Sequence, residues 1–215
     1  VKPHANPYDA KAIMERLALA EKPVVVVGGG GWNANGKAAL KTWAEANRLP
    51  VVAAFRCQDL IDNTSPSYAG DAGVGMPPHI RTFLDESDLI ICINARFGEM
   101  LTDSWTLFDP ATFDKPLIHI HAGEAELGKI FTPDFAVMSC PNAACARLAE
   151  TESLEAPVWA ERTETQHRTW AATIDAPSQT GPVDMAVVME TIRDTLPTDA
   201  IITNGAGNFA IWPGR

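Results

Sequence analysis

The sequence predicts an α/β domain built on an open parallel sheet with helices on its faces. The first signal is Pro23 to Gly31, where four consecutive valines precede four consecutive glycines. A row of β-branched residues favours a strand buried on both faces, as in parallel sheets that helices cover. The second signal is that short apolar runs alternate with helical periodicity along most of the chain. This alternation predicts βα units with right-handed crossovers.

Each element follows from its local pattern. Apolar spacing predicts helices at residues 8–20, 37–47, 79–86, 142–152, 157–174 and 183–196. Apolar runs predict strands at 23–27, 51–54, 89–93, 117–121, 136–138 and 200–203. Asp9 and Asn35 are the predicted N-caps of the first two helices. The stretch 56–78 is predicted to be a functional loop, and its segment 70–76 is not expected to be simple sheet.

Composition excludes several classes of protein. The net charge of −10 disfavours a nucleic-acid partner that binds through phosphate contacts. No run reaches the roughly 20 apolar residues that a membrane span requires. The four cysteines form no CxxC pair, which favours a reducing cytoplasm without a structural metal site, and Cys92 is expected to be buried. The opening Val-Lys-Pro, without a methionine, predicts an internal cut from a longer protein.

The glycine run leaves two interpretations open. A strand, a glycine turn and a helix N-terminus together form a corner that favours anions. Gly28 and Gly30 fit the first half of the dinucleotide fingerprint, but Asn33 stands where its third glycine belongs. The second strand also lacks an acidic residue at its tip, which disfavours an NAD site. The run therefore serves either close packing alone or a nucleotide-phosphate site of another kind.

A second candidate segment, 94–98, follows the predicted strand 89–93. Ligands of open α/β sheets collect at such carboxyl ends. Arg96 either holds a phosphate through its several donors or ties down its own loop through Glu99 or Asp103.

Four motifs together resemble the acetolactate-synthase-like family of thiamine-diphosphate enzymes. They are the run 23–30, Ala-Arg-Phe at 95–97, His-Ile-His at 119–121 with Glu-Leu-Gly-Lys at 126–129, and Gly207-Asn208 with Trp212. The resemblance implies a Rossmann-like central domain at 1–155, a connector helix and linker at 156–182, and a truncated start of the diphosphate-binding domain at 183–215. It implies thiamine diphosphate and Mg²⁺ in the full-length parent only, with Asn208 near the diphosphate.

By the same resemblance, the parent is a decarboxylase or carboligase, a lyase or transferase acting on a 2-oxo acid. It is expected to be a homo-oligomer completed by flanking domains, and this fragment is expected to be inactive alone. The family's Gln-His pair is Asn208-Phe209 here, which places acetolactate synthesis itself in doubt.

Some members of the family hold FAD or ADP in the central domain. Carried over to this sequence, the residues around that nucleotide are Gly29, Gly30, Asn94, Arg96 and His121. His121 replaces an aspartate of the family and Gly123 replaces the next one, so two acceptors are lost. The alternative hypothesis is a free-standing nucleotide-binding regulatory or structural module. A sirtuin-like deacylase is excluded by the cysteine spacing.

Overall fold

A computed structural model describes residues 3–175, 177–197, 199–205 and 207–212. It divides into two compact units, residues 1–167 and 168–215. Within the described residues, six strands form one sheet in the first unit: β1 Pro23–Val27, β2 Val51–Ala54, β3 Tyr68–Ala72, β4 Leu89–Ile93, β5 Leu117–His121 and β6 Phe135–Met138. All neighbouring strands run parallel, as predicted.

The strand order, β3-β2-β1-β4-β5-β6, is the arrangement of dinucleotide-binding α/β folds. The chain first builds outward from β1 to β3 and then returns to add β4 on the other side of β1. The order of strands therefore reverses between β1 and β4. Val26 lies at the centre, paired with Val52 on one side and Cys92 on the other.

Helices cover both faces of this sheet. In the first unit these helices are α1 Pro7–Leu17, α2 Ala34–Ala46, α3 Pro78–Asp85 and α4 Pro141–Ala149. Helix α5 Ala160–Ala171 begins in the first unit, and the second unit contains α6 Met185–Thr195. On one face α3 and the segment of Phe97 share a buried cluster with Val26 and Cys92. On the other, α2 packs on α4 and buries Trp43 and Cys145. No described helix is long and apolar enough to cross a bilayer.

The predicted helix caps are wrong by a few residues. Asn6, not Asp9, caps α1; its side chain accepts from the Asp9 N–H, and Asp9 accepts from the Asn6 N–H in return. Asn33, not Asn35, caps α2 by accepting from the Gly36 N–H at 2.8 Å. Asn33, which stands where the dinucleotide fingerprint has its third glycine, therefore serves as the N-cap of α2.

The segment expected to be outside the sheet contains the strand β3. This strand pairs with β2, with Asp71 opposite Ala53, and the register of the pairing shifts between Val51 and Val52. Helix α5 protects this edge, because Gln166 Nε2 donates to the Ala69 carbonyl at 3.1 Å. Backbone pairing and a covering helix thus form a strand from a sequence that lacks β-branched residues.

The first part of the predicted connector helix, up to residue 167, lies within the first unit. Trp159 is buried and its Nε1 donates to the Asn47 carbonyl at 3.0 Å, while Thr163 Oγ1 donates to the Arg48 carbonyl at 2.8 Å. The domain boundaries at 155 and 182 stay predictions.

In the second unit, Asp184 caps α6 and Met189 is buried. Residues 200–203 are not a strand, contrary to prediction, and pair with no described segment. Ile201 is 90% exposed, so its apolar character here does not reflect burial in a sheet. The predicted glycine turn that follows includes Ala206, which lies outside the described residues.

Candidate functional site

The two candidate segments meet at the carboxyl edge of the sheet. The glycine turn follows β1 and the segment 94–97 follows the adjacent β4. The Gly28 N–H donates to the Ile93 carbonyl at 3.2 Å, and the Asn94 N–H donates to the Ile120 carbonyl at 2.7 Å. Because the strand order reverses here, this edge is the topological switch point where open α/β sheets bind ligands.

The first two glycines are required for packing. A Cβ on Gly28 would lie 2.9 Å from the Cβ atoms of both Ala54 and Ala95. Gly29 has φ +68°, and a Cβ there would overlap the Asn94 carbonyl oxygen. A Cβ on Gly30 would meet nothing within 4 Å. Close packing therefore explains Gly28 and Gly29, whereas Gly30 faces open space.

Asn94 holds the turn in place. Asn94 is 4% exposed, and its Nδ2 donates to the Gly30 carbonyl at 2.9 Å and to the Gly28 carbonyl at 3.3 Å. Its backbone is left-handed, with φ 59°, a conformation that asparagine adopts more readily than most residues. Both amide hydrogens are therefore used within the protein, and Asn94 positions the glycine turn.

Two side chains that hold this turn through hydrogen bonds were not predicted from the sequence. Trp32 Nε1 donates to the Gly28 carbonyl at 2.9 Å, and Asn142 Nδ2 donates to the Gly31 carbonyl at 2.8 Å. Asn142 Oδ1 also accepts from the Asn33 N–H at 2.9 Å. A Cβ on Gly36 would lie 2.9 Å from the Asn142 Cα, so this helical glycine permits the close approach of α4. Because the helix was predicted from residue 37, Gly36 was expected to precede it and this packing role was not foreseen.

Arg96 is exposed, and its guanidinium forms no ion pair or hydrogen bond with any described residue, although its carbonyl accepts from the Gly98 N–H at 3.0 Å. Of the two alternatives for Arg96, the structure does not show the tie to its own loop: Asp103 pairs with Arg81 at 2.5 Å, and no ion pair joins Arg96 to Glu99 among the described residues. The positive charge of Arg96 acts on Glu126. The pKa of Glu126 is lowered first by the hydrogen bond from Lys129 and further by the charges of His121 and Arg96. The guanidinium is thus available to an anion at the edge of the sheet.

His121 ends β5 and is half-buried. Its Nδ1 lies 2.9 Å from the Gly123 nitrogen and 3.1 Å from the Gly123 carbonyl oxygen, so Nδ1 is engaged by the backbone of its own loop. The ring stands at the same edge as Arg96, where an aspartate would offer acceptors.

His119 lies one alternation earlier on β5 and is buried. Its Nε2 lies 3.1 Å from the Ala95 carbonyl, and Phe97 packs against its ring edge to face at 5.7 Å. Burial lowers the pKa of His119. This residue connects β5 to the segment that carries Arg96.

Asn208 lies in the second unit. It is exposed and begins the short 3₁₀ turn Asn208–Ile211. No described contact of its side chain with the protein holds it in place.

The sheet order and the glycine turn at the switch point define a Rossmann-like α/β domain. Residues 10–148 match the family model described as thiamine pyrophosphate enzyme, central domain. The chain therefore belongs to the thiamine pyrophosphate enzyme family, and residues 10–148 correspond to its central domain.

Curated relatives agree with this assignment. The chain is 28% identical over 216 residues to the acetolactate synthase large subunit of Parasynechococcus marenigrum, covering 97% of this chain and 34% of that protein. It is 24% identical to the acetolactate synthase isozyme 2 large subunit of Escherichia coli K12, covering 99% and 37%. It is 29% identical over 150 residues to the glyoxylate carboligase of Escherichia coli O157:H7, covering 69% and 25%. The chain spans about a third of the length of its synthase relatives.

Proposed function

We propose that the chain is the central part of a thiamine-diphosphate-dependent enzyme that decarboxylates a 2-oxo acid and transfers the remaining carbon unit to an acceptor. The observation that carries this proposal is the family match over residues 10–148, together with similarity to carboligases along the chain. Thiamine diphosphate, held with Mg²⁺, supplies the electron sink for such chemistry.

The role of the described residues in this enzyme is support and positioning. The carboxyl edge carries the guanidinium of Arg96 and the ring of His121, but no nucleophile with an adjacent base among the described residues. We therefore expect the chain to be inactive alone and to need the rest of a homo-oligomeric parent. We assign Asn208 a contact with the cofactor diphosphate. The four free cysteines favour a reducing cytoplasm.

The test compares this chain with its full-length parent. Both are supplied with thiamine diphosphate, Mg²⁺ and a panel of 2-oxo acids, and release of carbon dioxide is measured. The parent is expected to release it and the chain alone is not. Release by the chain alone, or none by the parent with any 2-oxo acid, contradicts the proposal.

A second candidate function is the binding of FAD or ADP at the carboxyl edge. Two observations favour it: the open side of Gly30 and the unpaired guanidinium of Arg96. In this arrangement Gly29 and Gly30 approach the diphosphate, Arg96 supplies positive charge, and His121 lines the same edge. Asn94 contributes by holding the turn rather than by touching the nucleotide.

Thermal unfolding with FAD, ADP or NAD tests this second function, with thiamine diphosphate plus Mg²⁺ as a control. A ligand that binds only the native state raises Tm. We expect FAD or ADP to raise Tm, Arg96→Ala to remove the shift and Arg193→Ala, an exposed arginine on α6, to retain it. If no nucleotide shifts Tm, the glycine turn serves packing alone.

A further inference from the structure

A small cavity, open to solvent on the side of Lys129 and Ile130, lies beside β5. Its volume is about 10 Å³, and its lining residues are Phe97, His119, Glu126, Lys129, Ile130 and Phe131. Phe97 and Phe131 pack edge to face at 5.1 Å and offer no conventional hydrogen-bond donor. The polar groups of the lining are the deeply buried His119 and the pair Glu126 and Lys129.

The hydrogen bonding of His119 is incomplete. The residue is 3% exposed, and its Nε2 lies 3.1 Å from the Ala95 carbonyl. A carbonyl oxygen only accepts, so Nε2 carries the proton and Nδ1 of the neutral ring is an acceptor. No described residue donates to this buried Nδ1. A buried acceptor without a donor costs free energy, which is why such groups in folded proteins are almost always satisfied.

We propose that this cavity is a hydration site for one water molecule, which donates a hydrogen bond to Nδ1 of His119. The volume is close to the roughly 10–15 Å³ that a single water molecule requires. A buried water also needs other polar partners, and the carboxylate of Glu126 and the ammonium of Lys129 belong to the same lining. A larger organic group does not fit, and a lone imidazole nitrogen does not make a metal site.

The water makes His119 a positioning residue with both ring nitrogens engaged. Nδ1 receives the water, and Nε2 holds the Ala95 carbonyl, which also accepts from Cys92 Sγ at 3.3 Å. Ala95 directly precedes Arg96 in the chain. The site therefore fixes one ring tautomer and, through it, the segment that presents the free guanidinium. This inference does not depend on whether a nucleotide binds.

Two measurements on the unmodified protein test the proposal. In a high-resolution crystal structure we expect one water about 2.7–3.2 Å from Nδ1 of His119. In ¹⁵N NMR of the histidine side chains near neutral pH we expect His119 as the Nε2–H tautomer. An empty cavity, a ring flipped so that a protein group satisfies Nδ1, or a doubly protonated ring overturns the proposal.

A pair of variants separates the two ring nitrogens. His119→Phe removes both nitrogens and is expected to lose one long-lived water, counted by magnetic relaxation dispersion of the water nuclei. His119→Asn places an oxygen near the position of Nδ1, loses the donor to Ala95, and is expected to keep that water. Equal numbers of long-lived waters in the unmodified protein and in a folded His119→Phe variant contradict the proposal.

Discussion

Two glycine-rich segments of this chain have similar sequence signals but different structures. Residues 28–31 follow a run of four valines, and residues 204–208 follow Ile201-Ile202-Thr203. The first follows a strand paired on both sides, at the switch point of a six-stranded sheet. The second follows no strand, and Ile201 and Ile202 are 90% and 54% exposed.

The difference shows that a glycine turn depends on its neighbours. At the first turn, Gly29 is held against Asn94, and the turn carbonyls accept from Asn94, Trp32 and Asn142. At the second, Cβ atoms on Gly205 and Gly207 would meet nothing within 4 Å. Strand pairing and packing, rather than glycine content, make the first turn a defined structure.

The largest change in stability is expected from truncating an isoleucine of the sheet beside the first glycine turn, compared with an isoleucine that precedes the second. Ile91 is fully buried on β4, whereas Ile201 is 90% exposed. Ile91→Ala removes buried methyl groups and leaves a cavity, so we expect a loss of about 3 kcal/mol in the free energy of unfolding. Ile201→Ala is expected to change it by less than about 0.5 kcal/mol.

Urea unfolding followed by tryptophan fluorescence measures both changes. A large loss in Ile201→Ala would show that residues 200–203 are buried in solution, and the contrast between the two regions would then fail.

The second test adds a methyl group to each glycine turn. Gly29→Ala forces a non-glycine residue to φ +68° and drives its Cβ into the Asn94 carbonyl, so we expect a loss of about 2–3 kcal/mol. Gly207→Ala meets nothing within 4 Å and is expected to cost less than about 0.5 kcal/mol. Thermal unfolding of both proteins checks the difference. Similar Tm values for the two variants would show that the first turn relaxes without cost.

The sheet could be predicted largely from the sequence because its central strands are continuous apolar runs. Val24–Val27 and Leu89–Ile93 are buried along their whole length, as such runs indicate. The strand β3, Tyr-Ala-Gly-Asp-Ala, was missed because its conformation comes from pairing with β2 and from the cover that α5 provides. The 200–203 strand was wrongly predicted because an apolar run does not reveal whether a pairing strand is present.

The site was predictable only in outline. Parallel strands end at one edge, so Gly29 and Asn94 were expected at the same edge, and only the resemblance implied that they lie close together. The use of the Asn94 amide for the glycine carbonyls did not follow, since it depends on a left-handed backbone at that residue. Asn142, which donates to the Gly31 carbonyl, is 111 residues from Gly31 in the chain, so no local sequence pattern predicts this hydrogen bond.

The third test changes an asparagine in each region to aspartate. Asn94→Asp keeps the shape of the side chain but sets a carboxylate against the carbonyls of Gly28 and Gly30, which need a donor. We expect a loss of about 2 kcal/mol, the scale of a buried polar group left unsatisfied. Asn204→Asp removes one exposed hydrogen bond to the Gly205 carbonyl and is expected to cost less than about 0.5 kcal/mol. Guanidinium unfolding measures both, and a smaller loss at Asn94 than at Asn204 contradicts the positioning role.

The smallest expected effect is the change of stability with pH, which has opposite signs for Asp71 in the first unit and Asp184 in the second. Burial raises the pKa of Asp71 on β3, although a hydrogen bond from Gln58 partly offsets this. The pKa of Asp184, the cap of α6, is lowered, first by the hydrogen bond from Ser178. The native state therefore holds the Asp71 proton more tightly than the unfolded chain, and stability falls as pH rises above the unfolded pKa of about 3.9. For Asp184 the carboxylate is favoured on folding, so its stabilisation is present above that pKa and is lost as pH falls through the lower folded value.

Asp71→Asn should accordingly stabilise the protein more at neutral pH than in acid, by under about 1 kcal/mol. Asp184→Asn keeps a good capping residue, and its stability relative to the unmodified protein should fall slightly from acid to neutral pH. Urea unfolding from about pH 3 to about pH 8 gives both slopes. Slopes of the same sign would mean that Asp71 is solvated in solution, and that the carboxyl end of β3 is as open as the cap of α6.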